Sequence, residues 1–322
     1  MILKLDVTNL KDITNKKGLV DSMMAPKKGR KHSCQTLPPD LLSNLPKNAL
    51  DGILVRLPLR EAVRTSILSK KWRYTWCKLP ELTLDETLWE TPADAGSLRW
   101  GRDLTFVTSN FTKIMYHILT LHAGPITKFT LSINSEYVDR KESHDIVKFF
   151  RSLSTIEHLH LEYMWFSACL GLDIPARLPF NLNRVKHFSL RFSLICLDEV
   201  LCTLCLIRSF PYLQYLKIEI VGNHDEDIPA LECLEVEHFS DVTFNHLREV
   251  RLIMGTGSKP EMQLIKLLLA KSPLLVRMLI EAGMFEEFVP ARIQESAAVQ
   301  MLVKVAKFQR ASPTAEVDLR LF

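Results

Sequence analysis

One pattern governs what this chain can fold into. An apolar residue recurs at i, i+3 and i+5, with polar residues between, along most of the sequence. It fits LPELTL (79–84), ITKFTL (126–131), IEHLHL (156–161) and VKHFSL (185–190), then LQYLKI (213–218), LECLEV (231–236), LREVRL (247–252) and LVRMLI (275–280). The starts are 47, 30, 29, 28, 18, 16 and 28 residues apart. One such match means nothing in a chain that is 47% hydrophobic. Eight in order, with four intervals of 28–30 residues, describe a structural repeat. Positions i+3 and i+5 alternate as in a strand with one buried side, which places i+2, i+4 and i+6 on the other face.

The longer intervals hold helical spacing at 105–122, 144–153, 198–210 and 260–275, the last with Pro260 in its first turn behind a Ser258 cap. The intervals of 18 and 16 residues leave no room for a helix, and loops are expected there. Strand plus helical return is an α/β unit. The spacing resembles leucine-rich repeats, which implies a solenoid with parallel strands on the concave face and helices and loops on the convex face. The outward positions include Lys128, Thr130, His158, His160, Glu162, His187, Arg191, Tyr215, Lys217 and Glu235. They form a mixed wall, better matched to a protein target than to a phosphate backbone.

A different pattern occupies residues 45–77. Apolar residues at 50, 53, 54 and 57 have helical spacing, bounded by Pro46 before and Pro58 after. A second short helix fits 60–67, and Ser69 is placed to cap a third over 70–77. In that third helix Trp72 and Trp76 share a face, and Lys70, Lys71 and Arg73 form the wet side. Burying one tryptophan is worth on the order of 4–6 kcal/mol as an upper bound. A module this small cannot hide two alone, so it is expected to dock on the rest of the chain, on a partner, or on both.

The run Leu45-Pro46, Ile53-Leu54, Leu57-Pro58, Ala62-Val63, Ser69-Lys70-Lys71-Trp72-Arg73 and Trp76 resembles the F-box of plant proteins, departing from it at Lys47-Asn48, where many members carry an acidic pair. HILTLHAGPITKFTL (117–131) and residues 247–281 are similar to plant F-box proteins of the leucine-rich-repeat and FBD type. The resemblance implies a basic tail (1–36), a three-helix F-box (40–78), leucine-rich repeats (79–245) and FBD-like repeats with a cap (246–322). It also implies a non-catalytic substrate receptor of an SCF-type ubiquitin ligase. Leu45, Pro46, Ile53, Leu54, Leu57, Pro58, Val63, Leu68, Trp72 and Trp76 would then bind the Skp-type adaptor or form the module core. The repeats would hold a target protein for ubiquitylation, with no cofactor. A repeat scaffold acting without ubiquitylation is the alternative.

Charge and motifs weigh against other classes. Residues 1–35 carry eight Lys/Arg against three Asp, and the remaining 287 hold 33 basic and 34 acidic residues. A near-neutral body offers no stripe for duplex binding, so nucleic acid and membrane partners are not expected. Lys27, Lys28, Arg30 and Lys31 form a cluster of the kind import receptors read, consistent with a nuclear or cytoplasmic protein. No apolar h-region opens the sequence, and seven scattered cysteines are expected to be reduced thiols. Cys202 and Cys205 form a CxxC in an apolar run, without a second pair for zinc. GTGSK (255–259) lacks the spacing of a phosphate loop. His158, His160 and His187 supply imidazoles but no obvious metal set, and no metal is expected.

Overall fold

The structure is a computed structural model that describes residues 45–85, 88, 114–132, 146–162, 174–194, 196–221, 233–240, 242–255, 257–283 and 291–321. The chain divides into two compact units, Met1–Leu79 with Glu86–Gly124, and Pro80–Asp85 with Pro125–Phe322. The basic cluster at Lys27, Lys28, Arg30 and Lys31 lies outside the described residues.

The first unit begins with helix α1 (Lys47–Leu54) and helix α2 (Leu59–Arg64), the latter continued by a 3-10 turn at Thr65–Ile67. The third helix expected over 70–77 is absent as an α-helix. Trp72 N bonds Ser69 O, Thr75 N bonds Trp72 O and Cys77 N bonds Tyr74 O, so the segment winds in three-residue steps. The Ser69 hydroxyl makes no capping bond among the described residues. Ties over longer spans hold the tight turns instead. Lys71 Nζ donates to Leu45 O, and Ser66 Oγ donates to Arg73 O at 2.8 Å. Helix α3 (114–121) ends against the 3-10 turn Trp76–Lys78, where Ala123 N donates to Cys77 O at 2.8 Å. Gly124 is required there, because a Cβ would stand 3.1 Å from Lys78 Cα.

Among the described residues the second unit holds an eight-stranded parallel sheet whose spatial order is its chain order. The strands are β1 (Glu81–Leu84), β2 (Lys128–Ser132), β3 (His158–Glu162), β4 (His187–Phe192), β5 (Tyr215–Ile220), β6 (Glu249–Met254), β7 (Arg277–Ala282) and β8 (Glu316–Leu321). Helices α4 (Ile146–Ser152), α5 (Leu197–Arg208), α6 (Lys259–Lys271) and α7 (Ala291–Ala306) lie in the returns. The register is unbroken. Leu82, Phe129, Leu159, Phe188, Leu216, Val250, Met278 and Val317 form one cross-strand row, and the residues two further on form a second. Through β7 both rows are buried, so the core is two parallel ladders of aliphatic and aromatic side chains. Phe188 meets the edge of Phe210 at 5.1 Å between centroids, joining the ladder to the turn that precedes β5.

The same turn precedes β3 through β8. Its closing bonds run from Ile156 N to Leu153 O, Val185 N to Leu182 O and Leu213 N to Phe210 O, then from Leu247 N to Phe244 O, Leu275 N to Ser272 O and Ala315 N to Ser312 O. All twelve of these residues are buried. Each turn therefore pins its strand from below before the sheet begins.

The described residues of LECLEV, 233–236, form no strand. Residues 233–240 hold a 3-10 helix at Val236–Phe239, and β6 follows only at Glu249. A unit of 16 or 18 residues cannot supply both a strand and its return. Glu235, just before that 3-10 helix, therefore lies off the sheet and off the wall to which the pattern assigned it. Conversely, β8 escapes the pattern because its i position is Thr314. Phe188→Ala should destabilise the chain by about 3–5 kcal/mol in urea unfolding, whereas Ser189→Ala, on the opposite face of the same strand, should cost under about 0.5 kcal/mol.

Candidate functional site

The first unit presents an apolar edge. Leu50, Leu54, Leu59, Ala62, Trp72 and Trp76 are buried within the chain. The tryptophans are therefore already covered, and neither is available as a stacking platform for bases. Leu45, Leu57 and Val63 are half-buried, while Pro46, Pro58 and Ile53 are exposed. Ile67 and Leu68 are 73% and 51% exposed, with Val55 and Tyr74 also open to solvent. A helix over 60–67 continued by one residue would carry Ile67 and Leu68 on the same side as Ala62 and Val63. The 3-10 turn at 65–67 separates them, and only Ala62 turns fully inward.

The second unit presents the outward face of the sheet. Lys128, Thr130, His158, His160, Glu162, His187, Arg191, Tyr215 and Lys217 all stand on it, in three registered rows across β2–β5. Its charges largely cancel in place. Lys128 pairs with Glu81 at 3.2 Å and Arg191 with Glu219 at 3.2 Å. Arg251 grips Glu281 through two bonds of 2.6 and 3.0 Å, and Arg277 holds Asp318 at 2.8 and 2.5 Å. Exposed pairs of this kind contribute roughly 0–1 kcal/mol each, so their main effect is to hold long side chains in one position.

Between these pairs lies a neutral window. His158 and His187 stack at 4.2 Å with ring planes 13° apart, and Tyr215 continues the file at 5.9 Å. Parallel stacked rings cannot aim two nitrogen lone pairs at one ion, so this pair is a platform and not a chelate. His160 Nε2 approaches Glu162 at 3.2 Å, and Ser132 Oγ donates to the same carboxylate. Burial pushes the Glu162 carboxyl up. The bonds from Ser132 and His160, with the charges of His160 and Arg191, outweigh it and hold the group below its ordinary range. For His187 burial is the first cause of a lowered pKa, followed by His158 and Lys186, against the opposing pull of Glu157 and Glu249.

Two other motifs resolve as structural. Cys202 and Cys205 are buried in α5, and burial pushes the Cys205 thiol up to about 11 and that of Cys202 further. These are small core hydrophobes, not thiolates. In the GTGSK loop the Glu261 carboxylate, in the first turn of α6, accepts the backbone N–H groups of Gly255 (2.7 Å), Gly257 (2.9 Å) and Ser258 (2.7 Å). The chain's own carboxylate thus fills the seat a phosphate would need. Gly257 has φ +78°, and a Cβ there would lie 2.6 Å from Met301 Cε. Glu199 does similar work two repeats earlier, accepting Ser193 N at 2.7 Å near the start of α5. Sequence reading missed both glutamates. Their signal is a Glu in the first helical turn after a strand.

Residues 42–84 match the F-box domain. A leucine-rich-repeat relative of Arabidopsis thaliana, an F-box/FBD/LRR-repeat protein, is 30% identical over 220 residues, covering 64% of this chain and 46% of its own. A putative F-box/FBD/LRR-repeat protein of that plant is 24% identical over 228 residues, covering 70% and 42%. An F-box/LRR-repeat protein, also from Arabidopsis, is 38% identical over 95 residues, covering 29% and 18%. The chain spans less than half the length of these curated relatives.

Two outcomes follow from the site geometry. Glu261→Ala strands three backbone N–H groups and should cost about 1–3 kcal/mol in urea unfolding, with no effect on phosphate affinity. His187 holds a proton less readily in the folded state than an ordinary imidazole, whose pKa is about 6.5. The unfolded chain takes up that proton first, so stability should fall as pH drops below about 6.5 towards the folded value. His187→Gln should show a shallower loss over that window in pH-dependent thermal unfolding.

Proposed function

We propose that this chain, an F-box protein similar to plant F-box/FBD/LRR-repeat proteins, is a substrate-recognition subunit of an SCF-type ubiquitin ligase. The observation that carries the reading is the pairing of an F-box having an exposed aliphatic edge with a parallel repeat sheet having an ordered outward face. The F-box binds a Skp-type adaptor, and through it a cullin–RING assembly. The in-register sheet is read as a leucine-rich-repeat solenoid whose concave wall holds a target protein. The chain itself performs no chemistry. It raises the effective concentration of the target's lysines near a ubiquitin-loaded enzyme, in the nucleus or cytoplasm.

Burial sorts the F-box residues. Leu54, Trp72 and Trp76 form the module's core, while Ile53, Ile67 and Leu68, with Val55 and Tyr74, form the edge offered to the adaptor. An apolar edge loses nothing by burial, because it leaves no polar group unpaired. On the wall, Lys128, Thr130, His158, His160, Glu162, His187, Arg191, Tyr215 and Lys217 are the candidate target contacts. Among the described residues no helix is long and apolar enough to cross a membrane.

The test is a pull-down of adaptor and cullin with Ile67→Asp plus Leu68→Asp. Both positions are exposed, so folding should be retained while adaptor affinity falls by tenfold or more, roughly 1.4 kcal/mol or above. Leu54→Arg should instead unfold the module, seen as a lost thermal transition. Undiminished adaptor retention by the folded double variant removes the ligase reading and leaves a repeat scaffold acting without ubiquitylation.

A further inference from the structure

The turns that precede the strands carry a surface that the wall does not account for. In the four turns before β4–β7 the third residue is Arg184, Tyr212, His246 and Leu274, and all four are exposed. Just beyond each turn lies a second row, Lys186, Gln214, Arg248 and Val276. It is aligned by bonds from Gln214 N to Lys186 O, Arg248 N to Gln214 O and Val276 N to Arg248 O. The two rows thus lie on adjacent strand entrances in one sheet.

Their composition differs from that of the wall. No carboxylate occurs in residues 183–186, 211–214, 245–248 or 273–276, whereas on the wall Lys128, Arg191, Arg251 and Arg277 each pair with an acid. Lys186 is held by Glu157 at 3.4 Å, but Arg184 and Arg248 make no ion pair among the described residues. Beside them stand three large apolar side chains in the open, Tyr212 at 48%, Leu274 at 50% and Val276 at 54% exposure. Tyr212 and His246 already lie ring to ring at 5.0 Å, so part of the surface is organised in advance. Glu249, which follows Arg248, stands in the next row, in register with Arg277.

We propose that this rim is a second docking surface, and that its occupant is an acidic protein segment carrying large apolar side chains. The unpaired arginines call for carboxylates. The exposed tyrosine, leucine and valine call for apolar side chains, which a nucleic acid backbone does not supply. Two free cations are also too few for a phosphate lattice. The inference does not rest on the adaptor reading, because none of these residues belongs to the F-box.

The test presents the full chain to a random dodecapeptide display library. Selected peptides should combine Asp or Glu with a large apolar residue. A synthetic peptide of the selected sequence should bind the wild-type chain about tenfold or more tightly than Tyr212→Asp plus Leu274→Asp, and also than Arg184→Ala plus Arg248→Ala. Every altered side chain is exposed, so all three proteins should share one thermal midpoint, and adaptor retention should be the same for all. A pool without acidic enrichment, equal affinity for either double variant, or displacement of the peptide by single-stranded DNA at equal concentration would overturn the proposal. Lost adaptor retention would instead count against the F-box reading, so the two failures are separate.

Discussion

Unbroken in-register parallel pairing is the constraint on which the second unit depends. Because no strand slips, every residue at a given repeat position meets its equivalent on the next strand. A one-residue slip would exchange the buried and solvent faces, so the two apolar ladders specify the register as strongly as the register creates the ladders. The buried turn ends at each strand entrance reinforce this, since they anchor the chain before its first sheet bond forms. Function inherits the regularity. A surface repeated at the spacing of a sheet can present side chains in rows, and the wall and the rim are two such sets of rows.

Those two sets differ in how they treat charge. On the wall, cation and carboxylate neutralise each other across neighbouring strands, and a partner gains little from net attraction. Beyond paired charge, the wall offers shape and the polar, aromatic window of His158, His187 and Tyr215. The cancellation also suppresses indiscriminate binding, because a partner of either sign meets its like as often as its opposite. The rim leaves arginines unpaired beside apolar side chains, which favours one sign of partner over the other.

Much of this was legible from periodicity alone. Seven of the eight pattern matches coincide with strands, because a half-buried strand leaves an alternation of period two. LECLEV carries the same alternation but lacks the length for a return, and it closes as a 3-10 turn. EVDLRL was hidden by Thr314, where a turn position does not need to be apolar as long as Ala315 is buried. The split of the F-box residues between Leu54 and Leu68 was not legible, since both are leucines in helical spacing. Only the three-residue hydrogen bonding after Arg64 decides which one turns outward. Glu261 was missed for a related reason. Its partners are backbone amides, and backbone geometry has no residue signature beyond the glycine it requires.

The tryptophans show how a motif can mislead about chemistry while being right about architecture. Beside Lys70, Lys71 and Arg73, two indoles in sequence suggest a basic aromatic grip. In the fold both rings are buried and Lys71 is tied back to Leu45, while the apolar side chains that reach solvent are Ile53, Val55, Ile67, Leu68 and Tyr74. Trp72 and Trp76 are covered within the chain, so the exposed edge stands without needing either ring. A preformed apolar edge spares the ordering cost that a folding segment would incur on binding, and its affinity depends little on salt. The charge-balanced wall holds its side chains by mutual pairing and reaches the same end by different physics. In both units the side chains that fill the core are distinct from those on the outward surface.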